Sequence, residues 1–312
     1  MKVLLLAEGE DVSLSKSQWQ ERKGFWSGIG SFVIAFEGDV ALTKKTTVEQ
    51  LNQYDLVIAN LDRSCLDDLL VLQVSRDSKV KGVSLIERCA TDYLPANLEL
   101  KKILDGSDLV NVINKHSLGF FRALTSAHCE YIGIPYPAEQ IRKSFFVPKE
   151  QRVRRIMLPA YVDPPGITCN ASYLAAKGHG LPMFGAQKER FNYGDNDYQP
   201  FVQRDPLPYM AFEGNSYAFM NLDHRYTWGR NVLDCAAMGV PCIATRSTGH
   251  AADFFPDLIV LDEFQVERAS WLLECLIKDD AYYKKVMDYS WRPEIFAEYT
   301  HDKIREKIMS FL

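Results

Sequence analysis

Short apolar runs alternating with helical segments predict an α/β protein made of two doubly wound, parallel-sheet domains. Three observations carry this expectation. Runs of about five residues, the first being VLLLA at Val3–Ala7, read as parallel strands buried on both faces. The strand–helix alternation begins a second time after Ile134-Pro135-Tyr136-Pro137. A chain of 312 residues also exceeds what one core usually organises, and the length suits about two domains.

In chain order, strands are expected at Val3–Ala7, 32–36, 55–61, 81–86 and 109–113, with helices at 67–74, 98–104 and 116–124. Residues 11–29 show no steady period and read as a long loop or short helix over a cleft. The charged stretch after Pro137 reads as an interdomain connection. Beyond it, strands are expected at 155–159, 182–185, 217–220, 241–244 and 258–260, with helices at 171–177, 229–238, 266–276 and about 293–311. Residues 189–208, rich in Asn, Asp, Gly, Gln and Pro, read as a loop or lid. These elements set a first domain at 1–140, a linker at 141–152, a second domain at 153–292 and a closing helix at 293–312. A cleft between two such domains is the natural ligand site, because ligands of open α/β sheets sit beyond the carboxyl ends of the strands.

Composition narrows the function classes. Hydrophobic residues make up 47% and charged residues 25%, an ordinary globular balance with no low-complexity segment. A net charge of −5 argues against a broad nucleic-acid face, although a local basic groove is hidden in such a total. Seven cysteines without a CxxC read as reduced thiols of a cytoplasmic protein. The opening apolar run is too short for a signal-peptide core, and no stretch suits a bilayer span. Peripheral contact with a membrane stays compatible with all of this. The six histidines lack HExxH or comparable spacing, so no metal site is expected.

The most informative stretch is residues 217–248, YAFMNLDHRYTWGRNVLDCAAMGVPCIATRST. An apolar strand gives way to the polar turn Asn221-Leu222-Asp223-His224-Arg225. Tyr226-Thr227-Trp228-Gly229 leads into a helix, Gly239 ends it, and Pro241 opens the next strand. A helix start offers N–H groups to a phosphate, and Arg225 and Arg230 add positive charge. Asp234, four residues after Arg230, shares its helix face, so the two are either a sugar-binding pair or a surface ion pair.

This segment resembles the donor-binding core of retaining glycosyltransferases of the GT-B fold, in particular the large family 4. That family carries a glutamate, Gly-Phe-Gly, a second glutamate eight positions after the first, and then a Gly-x-Pro step. Thr227-Trp228-Gly229 matches Gly-Phe-Gly, Asp234 falls on the second glutamate, and Gly239-Val240-Pro241 falls on Gly-x-Pro. Tyr226 stands in place of the first glutamate, which in the family contacts the transferred sugar. The basic pair that usually follows the first strand of the second domain is absent, and residues 160–166 read AYVDPPG. The resemblance implies two Rossmann-like domains facing a central cleft and a final helix returning to the first domain. It also implies a nucleoside-diphosphate sugar as donor, with uridine diphosphate the default, and no cofactor or catalytic metal. On this reading Asp234 binds ribose, Gly229 and Arg230 face the diphosphate and sugar, and Asp223, Arg225, Ser247 and Thr248 line the donor site. Tyr226 and Arg230 are the catalytic candidates on the donor side. Arg246, Lys188 and Arg190 are further sources of counter-charge.

In the first domain, Gly28 and Gly30 sit in a glycine-rich, aromatic stretch with Trp26 and permit close backbone approach to a ligand. Glu87 follows a strand and is a candidate acceptor base, or an ion-pair partner of Arg88. Asp62-Arg63 and Lys115-His116 hold equivalent positions after other strands. Glu213-Gly214-Asn215 reads as a turn. The acceptor is open: a small molecule, a glycan, a protein or a DNA base. An inactive nucleotide-sugar-binding protein and a nucleotide-sugar epimerase of the same fold compete with the transferase reading.

Overall fold

The computed structural model describes residues 1–7, 29–61, 69, 72, 81–86, 98–159, 167–185, 198–201 and 206–312. The chain divides into two compact units. The first comprises residues 1–137, 226–228 and 294–312, and the second comprises 138–225 and 229–293.

The first unit holds a six-stranded, all-parallel sheet. In chain order its elements are β1 (Val3–Ala7), α1 (Ile29–Phe36), β2 (Asp39–Leu42), α2 (Val48–Leu51), β3 (Leu56–Leu61), β4 (Lys81–Ile86), α3 (Leu98–Asp105), β5 (Leu109–Val112), α4 (Leu118–Leu124) and β6 (His128–Glu130). The strand order is β2-β1-β3-β4-β5-β6. VLLLA is buried at every position, as expected of a strand covered on both faces. Residues 32–36, expected as a strand, belong instead to the helix α1. Residues 30–36 are buried almost all round, and a helix with no polar face has no period to reveal it.

The second unit contains α5 (Ala138–Phe145), β7 (Val153–Met157), α6 (Ile167–Ala176), β8 (Met183–Gly185), β9 (Tyr198–Pro200), α7 (Pro206–Gly214), β10 (Ser216–Asn221), α8 (Arg230–Met238), β11 (Cys242–Thr245), α9 (Ala251–Phe254), β12 (Ile259–Val260), α10 (Val266–Lys278) and α11 (Asp280–Ser290). Its sheet is again all parallel, in the order β12-β11-β10-β7-β8-β9. Counted from β7, that is the Rossmann order 3-2-1-4-5-6, whose topological switch point lies between β7 and β10. The loops after these two strands therefore flank the place where such sheets take ligands. The chain ends with α12 (Pro293–Phe296) and α13 (His301–Ser310), and α13 packs on α1 within the first unit. Among the described residues, no helix is long and apolar enough to cross a membrane.

Candidate functional site

The loop after β10 is built around Asp223. Its carboxylate is fully buried and receives three donors from Arg225: the backbone N (3.1 Å), Nε (3.1 Å) and Nη2 (3.3 Å). Its backbone carbonyl accepts the hydroxyls of Ser247 (2.7 Å) and Thr245, which ties this loop to the loop after β11. The buried Thr248 hydroxyl lies 3.1 Å from Thr245 Oγ1. Deeper in, the backbone N of Leu222 donates to Ser172 Oγ on α6 (2.9 Å). Asp223, Arg225, Ser247 and Thr248, all expected at the donor site, are thus assembled into one knot at the carboxyl ends of β10 and β11.

Gly229 precedes α8 with φ 83°, the left-handed region. A Cβ at this position would collide with the carbonyl oxygen of Gly249, so the two loops meet backbone to backbone. The N-cap position of α8 is Gly229 itself, which has no side chain with which to cap the helix. Arg230, in the first turn, donates Nε to both oxygens of Asp234 (2.7 and 2.6 Å). Asp234 is nearly buried and the Arg230 side chain is about one-fifth exposed, so this is a half-sheltered ion pair rather than a fully solvated one. Two aspartates and two arginines therefore stand pre-paired beside an uncapped helix start. Arg246 is exposed at the rim. His250 takes a left-handed φ of 65°, is buried, and lies 3.4 Å through Nδ1 from Asp253 Oδ2.

Sequence reading missed Glu213. Instead of lying in a turn, it sits in the last turn of α7, completely buried, and accepts Cys235 Sγ through Oε1 (3.4 Å). Its Oε2 has no hydrogen-bond partner among the described residues. Burial first, and then the neighbouring Asp234, push this carboxyl well above its ordinary range. Burial, followed by the nearby Cys242 thiol, likewise raises Cys235. A glutamate in the otherwise apolar run PLPYMAFEG was the available signal.

Tyr226, Thr227 and Trp228 belong to the first unit. Asn114, just past β5, accepts the backbone N of His116 (2.9 Å) and donates Nδ2 to the Thr227 carbonyl (2.6 Å). This places the half-exposed Tyr226 ring 6.3 Å from the ring of His116. Trp228 is buried edge-on against Tyr136 (6.0 Å) and Tyr299 (6.5 Å). Lys115 is exposed beside this group, and Gly30 is buried in the first turn of α1. Gly28, Trp26, Asp62, Arg63, Glu87, Arg88, residues 160–166, Lys188 and Arg190 lie outside the described residues. Among the described residues, no three metal-ligating side chains converge.

No protein-family profile and no curated protein matches this sequence. Solved structures do match over nearly the whole chain. An alpha-glucosyltransferase in complex with UDP and a 13-mer DNA containing an HMU base aligns with 99% of this chain and 98% of its own, at 12% identity and TM-score 0.62. Anabaena HepE in complex with UDP aligns over 99% of both chains at 12% identity and TM-score 0.68. An E. coli trehalose-6-phosphate protein bound with UDP-2-fluoro glucose aligns with 99% of this chain and 98% of its own, at 10% identity and TM-score 0.70. The fold is GT-B. The two parallel sheets described above are the two Rossmann-like units of that GT-B fold.

Proposed function

We propose that this chain is a glycosyltransferase that moves a hexose, with retention, from a nucleoside-diphosphate sugar to an acceptor, uridine diphosphate being the default nucleotide. The observation that supports this most is the full-length GT-B likeness to proteins solved with UDP or a UDP-sugar. The local geometry agrees with it. The uncapped start of α8, next to a switch point of Rossmann order, suits a diphosphate. Arg225, Arg230 and Arg246 supply positive charge for the leaving diphosphate, and the helix end adds its dipole. In this reading the phosphates draw the two paired arginines partly away from Asp223 and Asp234, and Asp234 turns to the ribose hydroxyls. Charge stabilisation then needs no metal ion. Tyr226, beside His116, takes the sugar-facing position.

A second reading has its own support. Tyr226 cannot act as a carboxylate, and Asp234 is already engaged by Arg230, an arrangement that also suits a donor-binding protein without transfer chemistry. Calorimetric titration with UDP, GDP and their glucose conjugates, repeated on Asp234→Ala, tests both. Tight binding of one diphosphate that weakens in the variant supports the donor site. Slow release of glucose from the bound sugar nucleotide then separates an enzyme from a binder. A folded protein that binds none of the four ligands overturns the donor site itself.

A further inference from the structure

The amino ends of β7 and β10 lie at the opposite pole of the second unit from the loops just described. They frame a cavity of about 620 Å³ that the donor reading leaves unused. Four basic side chains line it, Lys149, Arg152, Arg154 and Lys284, against the carboxylates of Glu150 and Asp280. Lys284 is paired with Asp288 (2.6 Å) and Lys149 with Asp280, so Arg152 and Arg154 stand against Glu150 on a chain whose net charge is −5.

Neither guanidinium has a carboxylate of its own among the described residues. Arg152 is buried and donates only to neutral oxygens: Nε to the Val147 carbonyl (2.8 Å), Nη1 to Tyr283 Oη (2.8 Å) and Nη2 to the Met238 carbonyl (3.2 Å). Arg154 is exposed, with its guanidinium 5.3 Å from the centroid of the Tyr217 ring. Lys149 lies 4.3 Å from the Tyr283 ring centroid and pairs with Asp280 at 2.5 Å. The Asp280 side chain is 91% exposed and opens the first turn of α11, where the helix dipole favours negative charge. Asp279 already caps α11 by accepting the backbone N of Tyr282 (2.9 Å), so Lys149 is what holds the exposed Asp280 carboxylate in this anion position.

We propose that this cavity binds a phosphate monoester, whose phosphoryl group replaces Asp280 between Lys149 and Arg154 at the start of α11. Once Asp280 leaves, Lys149, Arg152 and Arg154 exceed Glu150 by two charges, which a phosphoryl dianion matches, and guanidinium groups suit its oxygens. The volume is in the range of small-molecule pockets and far exceeds a bare phosphate ion. The half-exposed ring of Phe146 covers the carbon part of the ester. The site is independent of the donor reading.

Titration of the full chain with phenyl phosphate, with inorganic phosphate alongside, tests the proposal. The ester is expected to bind more tightly than the inorganic ion. Arg154→Glu weakens it at least tenfold, and Asp280→Asn, which removes the internal competitor, tightens it several-fold. Lys284→Glu, on an exposed helix face, gives a second weakened variant should Arg154→Glu fail to fold. UDP titrations of the same variants should be unchanged, which separates failure here from failure of the donor site. Inorganic phosphate binding as tightly as the ester overturns the ester assignment. Absence of binding, or binding indifferent to both charge reversals, overturns the site.

Discussion

The two ends of α8 have the same kind of residue and opposite fates. Each is flanked by a glycine in the left-handed region, Gly229 with φ 83° and Gly239 with φ 76°. At the carboxyl end the protein closes the helix itself. The backbone N groups of Gly239 and Val240 donate to the Cys235 carbonyl, Arg142 Nη1 donates to Ala237 (3.2 Å), and Arg152 Nη2 donates to Met238 (3.2 Å). Cations meet the negative end of the dipole, as a stable helix end requires. At the amino end the N-cap is a glycine with no side chain to give, and the Cβ it lacks would meet the Gly249 backbone. One end is finished architecture. The other, in the function proposed above, receives an anion from outside.

Substitutions at the two ends should therefore differ in kind. Gly229→Ala forces a Cβ into the Gly249 carbonyl and into a disfavoured φ, and should cost about 3 kcal/mol or more. A denaturant midpoint close to the parent's would show that the loops do not meet as described. Arg152→Ala strands three acceptors, two of them in buried hydrogen bonds, and should cost about 2 kcal/mol, with UDP affinity retained; equal damage to UDP binding would erase the distinction between the ends. Gly239→Ala, which meets the Phe146 ring rather than backbone, should lose about 1–2 kcal/mol in the same unfolding assay. Asp234→Ala should leave the fold intact and weaken UDP about tenfold, or about 1.4 kcal/mol, by calorimetry. The smallest effect concerns Glu213, which meets α8 at Cys235. Its folded-state carboxyl titrates above its unfolded one, so its contribution is full at low pH and declines as pH rises above the ordinary carboxylate range. Glu213→Gln should flatten that decline above the ordinary carboxylate range in urea melts; an unchanged slope would place the proton elsewhere.

The fold was legible where burial leaves a pattern. β1, β3, β4, β5 and β10 are apolar runs of strand length, and each lies within a residue or two of its expected position. Elements with weak patterns were missed. β2 and β6 are short edge strands with half-exposed residues, α5 is a short charged helix, and α11 mixes charged and aromatic residues. α1 failed for the opposite reason, being apolar throughout. At the site, the sequence pointed to the 221–234 and 247–248 segments because turn residues and a helix start cluster there. It gave no hint that Asn114 holds the Thr227 carbonyl, a contact across 113 positions. Nor did it reveal Glu213 as a buried acid, because burial of a single polar residue leaves no local periodicity.

The grouping of residues 1–137 with 226–228 and 294–312 also has a consequence for synthesis. As the chain leaves the ribosome, the sheet of the first unit is complete once β6 has emerged. Trp228, which packs against Tyr136 and Tyr299, and α13, which covers α1, are still untranslated. At ordinary elongation speeds that gap lasts on the order of ten seconds. Within it the second unit gathers nearly all of its own sequence. The half that begins first is the half that finishes last, and a nascent chain stalled before residue 294 should present α1 uncovered to a chaperone.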